Sequence, residues 1–154
     1  MGGSLAMWSE YFVNAIRIIG IDNSVQDYLQ TNIIKNVYTD IPESDVENKV
    51  RRALSLYENV EFLKIDAYSE NTIQFLLENL GSEQFDIIID DGSHNNNDAR
   101  FVIDNYGKYL LKPGGLLVIE DCYPPLQNIP YKHECNVYFG AGTSDDYLIE
   151  IKKL

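Results

Sequence analysis

Four short apolar runs in this chain each stop at an acidic residue, and stretches of helical periodicity separate them. Ile16 to Ile21 closes on Asp22, and Val60 to Ile65 closes on Asp66. Phe85 to Ile89 closes on Asp90 and Asp91, and the run 116–119 closes on Glu120 and Asp121. Short runs rich in β-branched residues and bounded by polar ones read as strands within a sheet. Ile16–Ile21 reads as a buried strand, and Ile87–Ile89 as one buried on both faces. Between them, residues 4–14 carry Leu5, Trp8 and Phe12, with Ala15 beyond, at helical spacing. Ser44-Asp45-Val46-Glu47 is a capping box. It opens a helix over 44–57 whose face is Val46, Val50, Ala53, Leu54 and Tyr57. Residues 70–80 form a helix with Ile73, Leu76, Leu77 and Leu80 inward and Gly81 as its C-cap. Residues 96–110 form another, with Ala99, Val102, Ile103, Tyr106 and Leu110 on one stripe. Lys112-Pro113-Gly114-Gly115 is a turn into the strand 116–120, and 136–140 with 146–152 read as a closing antiparallel pair. The polar segment 23–43 takes no assignment. Alternating strands and helices imply an α/β fold: a Rossmann-like, doubly wound, mostly parallel sheet ending in that antiparallel pair.

A single domain is expected from 154 residues, enough for a sizeable core. Hydrophobic content of 45% and aromatic content of 12% are those of a globular chain. A net charge of −12 argues against nucleic-acid backbone binding, which needs a basic surface, and against an anionic membrane surface. No apolar run reaches the length of a membrane span. Two cysteines, Cys122 and Cys135, make no disulfide framework in a chain this long. They read as reduced thiols of a cytoplasmic protein.

In open α/β sheets, ligands sit outside the carboxyl ends of the strands, where these four acidic endings fall. One such acid is often only a helix N-cap; four along one sheet edge point to a site. The acid after the second strand of a Rossmann-like unit accepts hydrogen bonds from ribose hydroxyls, which makes Asp22 a ribose-binding candidate. Asp90-Asp91-Gly92-Ser93-His94 packs two potential metal ligands and a base into five residues. Blander roles remain open: His94 as a packing or capping loop residue, and Asp91 and Asp121 as solvated caps. His133 lies in a Pro-rich loop with no evident partner. The loop around Tyr123, Pro124, Pro125 and Tyr131 either borders a substrate pocket or is a surface loop with buried rings.

Three stretches together resemble the class I S-adenosylmethionine-dependent methyltransferases. Within that superfamily they are similar to the metal-dependent O-methyltransferases of the macrolide-sugar (mycinamicin and tylosin) type. Gly2-Gly3-Ser4-Leu5 with Met7-Trp8 and Tyr11-Phe12 resembles the tail of the glycine-rich cofactor loop and its helix. Ile18-Ile19-Gly20-Ile21-Asp22 resembles the ribose-binding strand. Asp90-Asp91-Gly92-Ser93-His94, with Lys112-Pro113-Gly114-Gly115 and Glu120-Asp121, resembles the metal and catalytic half. The resemblance implies S-adenosylmethionine bound through Gly2, Gly3, Ser4, Asp22, Asp66, Ala67 and Asp90. It implies Mg²⁺ or another divalent cation on Asp91 and Asp121, with His94 as general base. The acceptor it implies is a hydroxyl of a sugar or sugar-like small molecule, and homo-oligomerisation is left open.

The family's first strand, central in its sheet, has no counterpart here. A sheet lacking it would leave two buried edges unpaired, at heavy cost. The expectation is an N-terminally truncated methyltransferase-like domain, or a sheet closed up around the gap. A third metal ligand is not evident unless it is Glu120. Three rival readings differ in class. A nicotinamide-dependent oxidoreductase would need a full glycine fingerprint, which the chain lacks. A non-catalytic remnant or interaction module would bind through an exposed sheet edge, and a cephalosporin-hydroxylase-like enzyme would keep the site but change the reaction.

Overall fold

The computed structural model of the chain describes residues 2–23, 58–122, 126–140 and 147–154. It divides into two compact units, Met1–Ala67 and Tyr68–Leu154. The expected helix over 44–57, nearly all of the polar segment 23–43, and Tyr123, Pro124 and Pro125 lie outside the described residues.

The first unit contains helix α1 (Gly2–Tyr11) and strands β1 (Ile18–Ile21) and β2 (Val60–Leu63). Helix α1 buries Leu5, and the Trp8 ring stacks on Phe12 with centroids 5.4 Å apart. Strands β1 and β2 pair in parallel, Ile18 opposite Val60 through Ile21 opposite Leu63. The Asn59 side chain donates to the Ala15 carbonyl at 2.9 Å and accepts from the Ser9 hydroxyl at 3.1 Å, tying the approach to β1 to the start of β2. Arg17 forks onto Glu61 with contacts of 2.7 and 2.9 Å, which holds the Glu61 carboxyl below its usual range. The run 16–21 is not the buried strand that its composition suggests. Ile16 is 96% exposed, and all four residues of β1 are only half-buried. Among the described residues β1 pairs with β2 alone, so apolar composition is not matched by cover.

The second unit contains α2 (Glu70–Leu80), β3 (Phe85–Asp90), α3 (Asn96–Val102), a π-helical segment (Ile103–Leu110), β4 (Leu111–Glu120), β5 (His133–Phe139) and β6 (Tyr147–Lys153). Its sheet runs β3-β4-β6-β5, with β3 and β4 parallel and the other two pairs antiparallel. The described chain is thus mixed α/β, and the expected closing pair is β5 with β6. The register sets Leu117 against Ile151 and Ile119 against Ile149. These four, with Leu76, Ile103, Leu110 and Leu111, are the largest fully buried side chains. Each contributes about 1.5–3 kcal/mol of apolar burial.

Helix α2 follows its sequence signals. Ser69 caps it by accepting from the Asn71 amide, and the Gly81 amide closes it on the Leu77 carbonyl. Ile73, Leu76 and Leu80 are buried, but Leu77 is 37% exposed, and Thr72 is buried in its place. The apolar stripe is rotated towards the 72–76 side, leaving the i+4 position at its margin. The stripe Ala99, Val102, Ile103, Tyr106 and Leu110 is buried throughout, as expected. The helix carrying it is not α-helical to its end, because it widens to a π-helix at Ile103 and closes with the Leu111 amide on the Tyr106 carbonyl. The Asn105 side chain adds a donor to the Phe101 carbonyl at this junction. Lys153 caps the far end, its Nζ donating to the carbonyls of Lys108 and Leu111.

Strand β3 is also less covered than a β-branched run suggests. Ile87 is 38% exposed, and Ile88 and Ile89 are half-buried. The reason is position: among the described residues β3 pairs with β4 alone. From Phe85–Leu111 to Ile87–Leu116, β3 advances two residues and β4 five. The expected Lys-Pro-Gly-Gly turn is therefore a bulge inside β4. Gly114 adopts φ 82°, and a Cβ on Gly115 would sit 3.0 Å from the Asp86 carbonyl oxygen, so glycine is required at both. The Lys112 ammonium pairs with Asp86 across the bulge. No helix among the described residues is long and apolar enough to cross a membrane.

Candidate active site

The parallel pairing of β3 and β4 decides where the acidic strand endings of the second unit meet. Asp90 lies opposite Ile119, so Asp91 emerges beside Glu120 and Asp121 at one end of the sheet. The Asp121 amide donates to the Tyr147 carbonyl at 2.8 Å, which anchors this corner to β6. After Asp91 the chain bends through Gly92 and Ser93 to His94, and Asn95 caps α3 through its side-chain oxygen.

Asp91, His94 and Asp121 converge, each offering a ligand atom within 4.8 Å of the others. The imidazole lies between the carboxylates: Nε2 is 3.9 Å from Asp91 Oδ1, and Nδ1 is 3.9 Å from Asp121 Oδ2. These separations are too long for hydrogen bonds and leave room for a bridging atom. All three side chains are solvent-accessible, at 39–51% of their area. His94 and Asp121 both have positive φ, 55° and 54°. Non-glycine residues rarely adopt this backbone, and such strain gathers at functional sites.

The surrounding charge is strongly negative. Burial raises the Glu120 carboxyl above its usual range, and the charges of Asp91 and Asp121 add to this against His94. Burial raises Asp90 as well, against the hydrogen bond from Tyr68. Cys122, buried next to Asp121 in the chain, has its thiol pushed up to about 11 by burial and by the charges of Asp90 and Asp121. It is a packed thiol, not a nucleophile. Cys135 on β5 is exposed, and both cysteines are free.

The donor set fits a hard divalent cation. The two carboxylates suit such an ion, with ligand atoms sharing one no more than about 4–5 Å apart, and the imidazole stands beside them as a base. Glu120 is not one of the three convergent groups, although it feels their charge.

The structure thus brings together Asp91, His94 and Asp121, the residues singled out for metal and base. Asp90 lies beside them, with Oδ1 accepting the Tyr68 hydroxyl at 2.8 Å. The other sequence candidates belong to the first unit. Gly2, Gly3 and Ser4 open α1, and Asp22 and Asp66 follow the carboxyl ends of the parallel strands β1 and β2, with Ala67 next. The Asp22 amide donates to the Leu63 carbonyl, holding that ending against β2. His133 Nδ1 lies 2.9 Å from the Tyr131 carbonyl oxygen, and Tyr131 is half-buried under Lys153 Nζ, 5.5 Å from its ring centroid.

Sequence reasoning missed the residues bracing the 90–95 loop. Tyr68 carries no motif and bonds a strand ending 22 residues away. Ser93 and Asp98 were more legible, because Asn95 followed by Asp98 three residues later has the spacing of a capped helix start.

No protein-family model matches the chain, and no curated protein matches it. Among solved structures it is similar to the Escherichia coli protein described as "Putative methyltransferase yhhF". The TM-score is 0.44 at 9% identity, over 96% of this chain and 83% of that one.

Proposed function

We propose that this chain is an S-adenosylmethionine-dependent O-methyltransferase domain of doubly wound type, acting on a hydroxyl of a sugar or similar small molecule. The observation that carries the reading is the convergence of Asp91, His94 and Asp121 at the carboxyl ends of adjacent parallel strands. The reading also accounts for the acidic endings of the first unit. Asp22 would accept the ribose hydroxyls, and Asp66 with Ala67 would border the adenine. Gly2, Gly3 and Ser4 lie in the first turn of α1, where amide groups have no partner inside the helix.

Methyl transfer from a sulfonium is an in-line displacement, so the protein has chiefly to align acceptor and methyl and to remove the acceptor's proton. Asp91 and Asp121 would hold a divalent cation, Mg²⁺ by the hardness of their oxygens, which when bound lowers the pKa of an acceptor hydroxyl. His94 would take the hydroxyl proton at one ring nitrogen. Its ring is exposed and lies 3.9 Å from each of the two carboxylates.

Calorimetric titration of S-adenosylmethionine, with and without Mg²⁺, tests this reading. Binding is expected, and a folded chain that takes up no cofactor in either condition would overturn it. One observation favours a second reading, an interaction module: among the described residues β3 pairs on one side only, with Ile87 exposed. Concentration-dependent association without cofactor binding would favour that alternative.

A further inference from the structure

One hydroxyl bridges the loop carrying Asp91 and His94. Tyr68 Oη donates to Asp90 Oδ1 at 2.8 Å and accepts from the Ser93 amide at 3.0 Å. Its two partners straddle Asp91 and Gly92, so the phenol joins the end of β3 to the bend beyond it. The fit is close, because a Cβ on Gly92 would collide with the Tyr68 hydroxyl. On its far side Ser93 is held again. Its Oγ donates to Asp98 Oδ2 at 2.6 Å and accepts from Asn95 Nδ2 at 2.8 Å, and Asn95 also donates to Asp98. His94, with its positive φ, sits between the two residues so fixed. Tyr68 itself directly precedes Ser69, the N-cap of α2, whose inner face is buried in the core of the second unit.

We infer that Tyr68 is a positioning residue for the Asp91–His94–Asp121 site, its hydroxyl setting the loop so that these groups converge. The inference rests on the metal reading above. It assigns Tyr68 no contact with substrate. Its hydroxyl acts through Asp90 and Ser93, as outer-shell hydrogen bonds orient metal ligands elsewhere.

The test uses the whole chain, Tyr68→Phe, and two readouts. Hydrogen exchange reports the Ser93 amide, which should lose protection in the variant while the amides of β4 and β6 keep theirs. Mn²⁺ binding, followed by the spectrum of the free ion, should weaken by about ten- to a hundredfold. Unchanged Ser93 exchange would overturn the clamp. Faster Ser93 exchange with unaltered Mn²⁺ affinity would overturn its positioning role. A wild-type chain that binds no Mn²⁺ would instead sink the metal reading and the purpose assigned to the clamp, while Ser93 exchange would still report whether the clamp exists.

Discussion

Gly92→Ala offers a stability test of the same contact that needs no ligand. The new methyl would collide with the Tyr68 hydroxyl and lie 3.0 Å from Asp90 Oδ1, so the phenol must withdraw. Withdrawal breaks two hydrogen bonds, at 2.8 Å to a carboxylate and at 3.0 Å to an amide. A bond to a charged group is worth about 1.5–3 kcal/mol net, and a neutral one about 1 kcal/mol. The loss is therefore about 2.5–4 kcal/mol. Replacing glycine restricts the unfolded chain, which offsets about 0.4–1 kcal/mol. The expected net destabilisation is about 1.5–3.5 kcal/mol, a large cost for one added methyl. Tyr68→Phe should cost a similar amount by losing the same bonds. In the double variant the hydroxyl is already absent, so the alanine should add little. The sum of the single costs should exceed the double by the worth of the two bonds, about 2.5–4 kcal/mol, at the upper end of couplings between residues in contact. Urea unfolding of the four proteins, followed by a probe of the second unit, measures the cycle. Additive costs, or a Gly92→Ala chain as stable as the parent, would refute the contact and its energetics.

The raised carboxyls of Asp90 and Glu120 give a pH dependence of defined sign. A carboxyl whose folded pKa exceeds its unfolded value binds more protons when folded, so stability present below the unfolded value is lost as pH rises through the folded one. Stability of the metal-free parent relative to Glu120→Gln, read from thermal melts, should fall as pH climbs from about 4.5, the ordinary value for Glu120, since the opposite contribution of the lowered Glu61 cancels in that difference; a difference that rises there would contradict the burial described. Asp121→Asn should abolish stabilisation by Mg²⁺, which for the parent at a hundred times its dissociation constant should be about 2.7 kcal/mol. Equal shifts in parent and variant would remove Asp121 as a ligand. His94→Ala should lower methyl transfer by about 10²–10⁴-fold while cofactor affinity holds, and unchanged turnover would exclude His94 as the base.

Local sequence marked most of the described elements and the acidic endings of their strands. The stripe from Ala99 to Leu110 is buried as its spacing requires, and Ser69 and Gly81 bound α2 as capping residues should. These signals act over a few residues, through backbone geometry and side-chain periodicity, and so are legible in one dimension. The abrupt change from Ile87-Ile88-Ile89 to Asp90-Asp91-Gly92-Ser93-His94 likewise marked a strand ending rich in functional groups. What the sequence could not decide was cover and meeting. Ile16 and Ile87 look like core residues and are exposed, because burial depends on what lies beside a strand. The helix over 96–110 widens to a π-helix at Ile103, although its apolar spacing reads as α-helical throughout. Asp91 and Asp121 are 30 residues apart in the chain and meet only through the register that sets Asp90 opposite Ile119. In that arrangement β4 also sets Leu117 and Ile119 against Ile151 and Ile149, and residues 112–115 bulge out between the paired ends. Tyr68 meets Asp90 and Ser93 across 22 and 25 residues of chain. Such long-range placements are chosen by the packing of the whole core, and no local pattern encodes them.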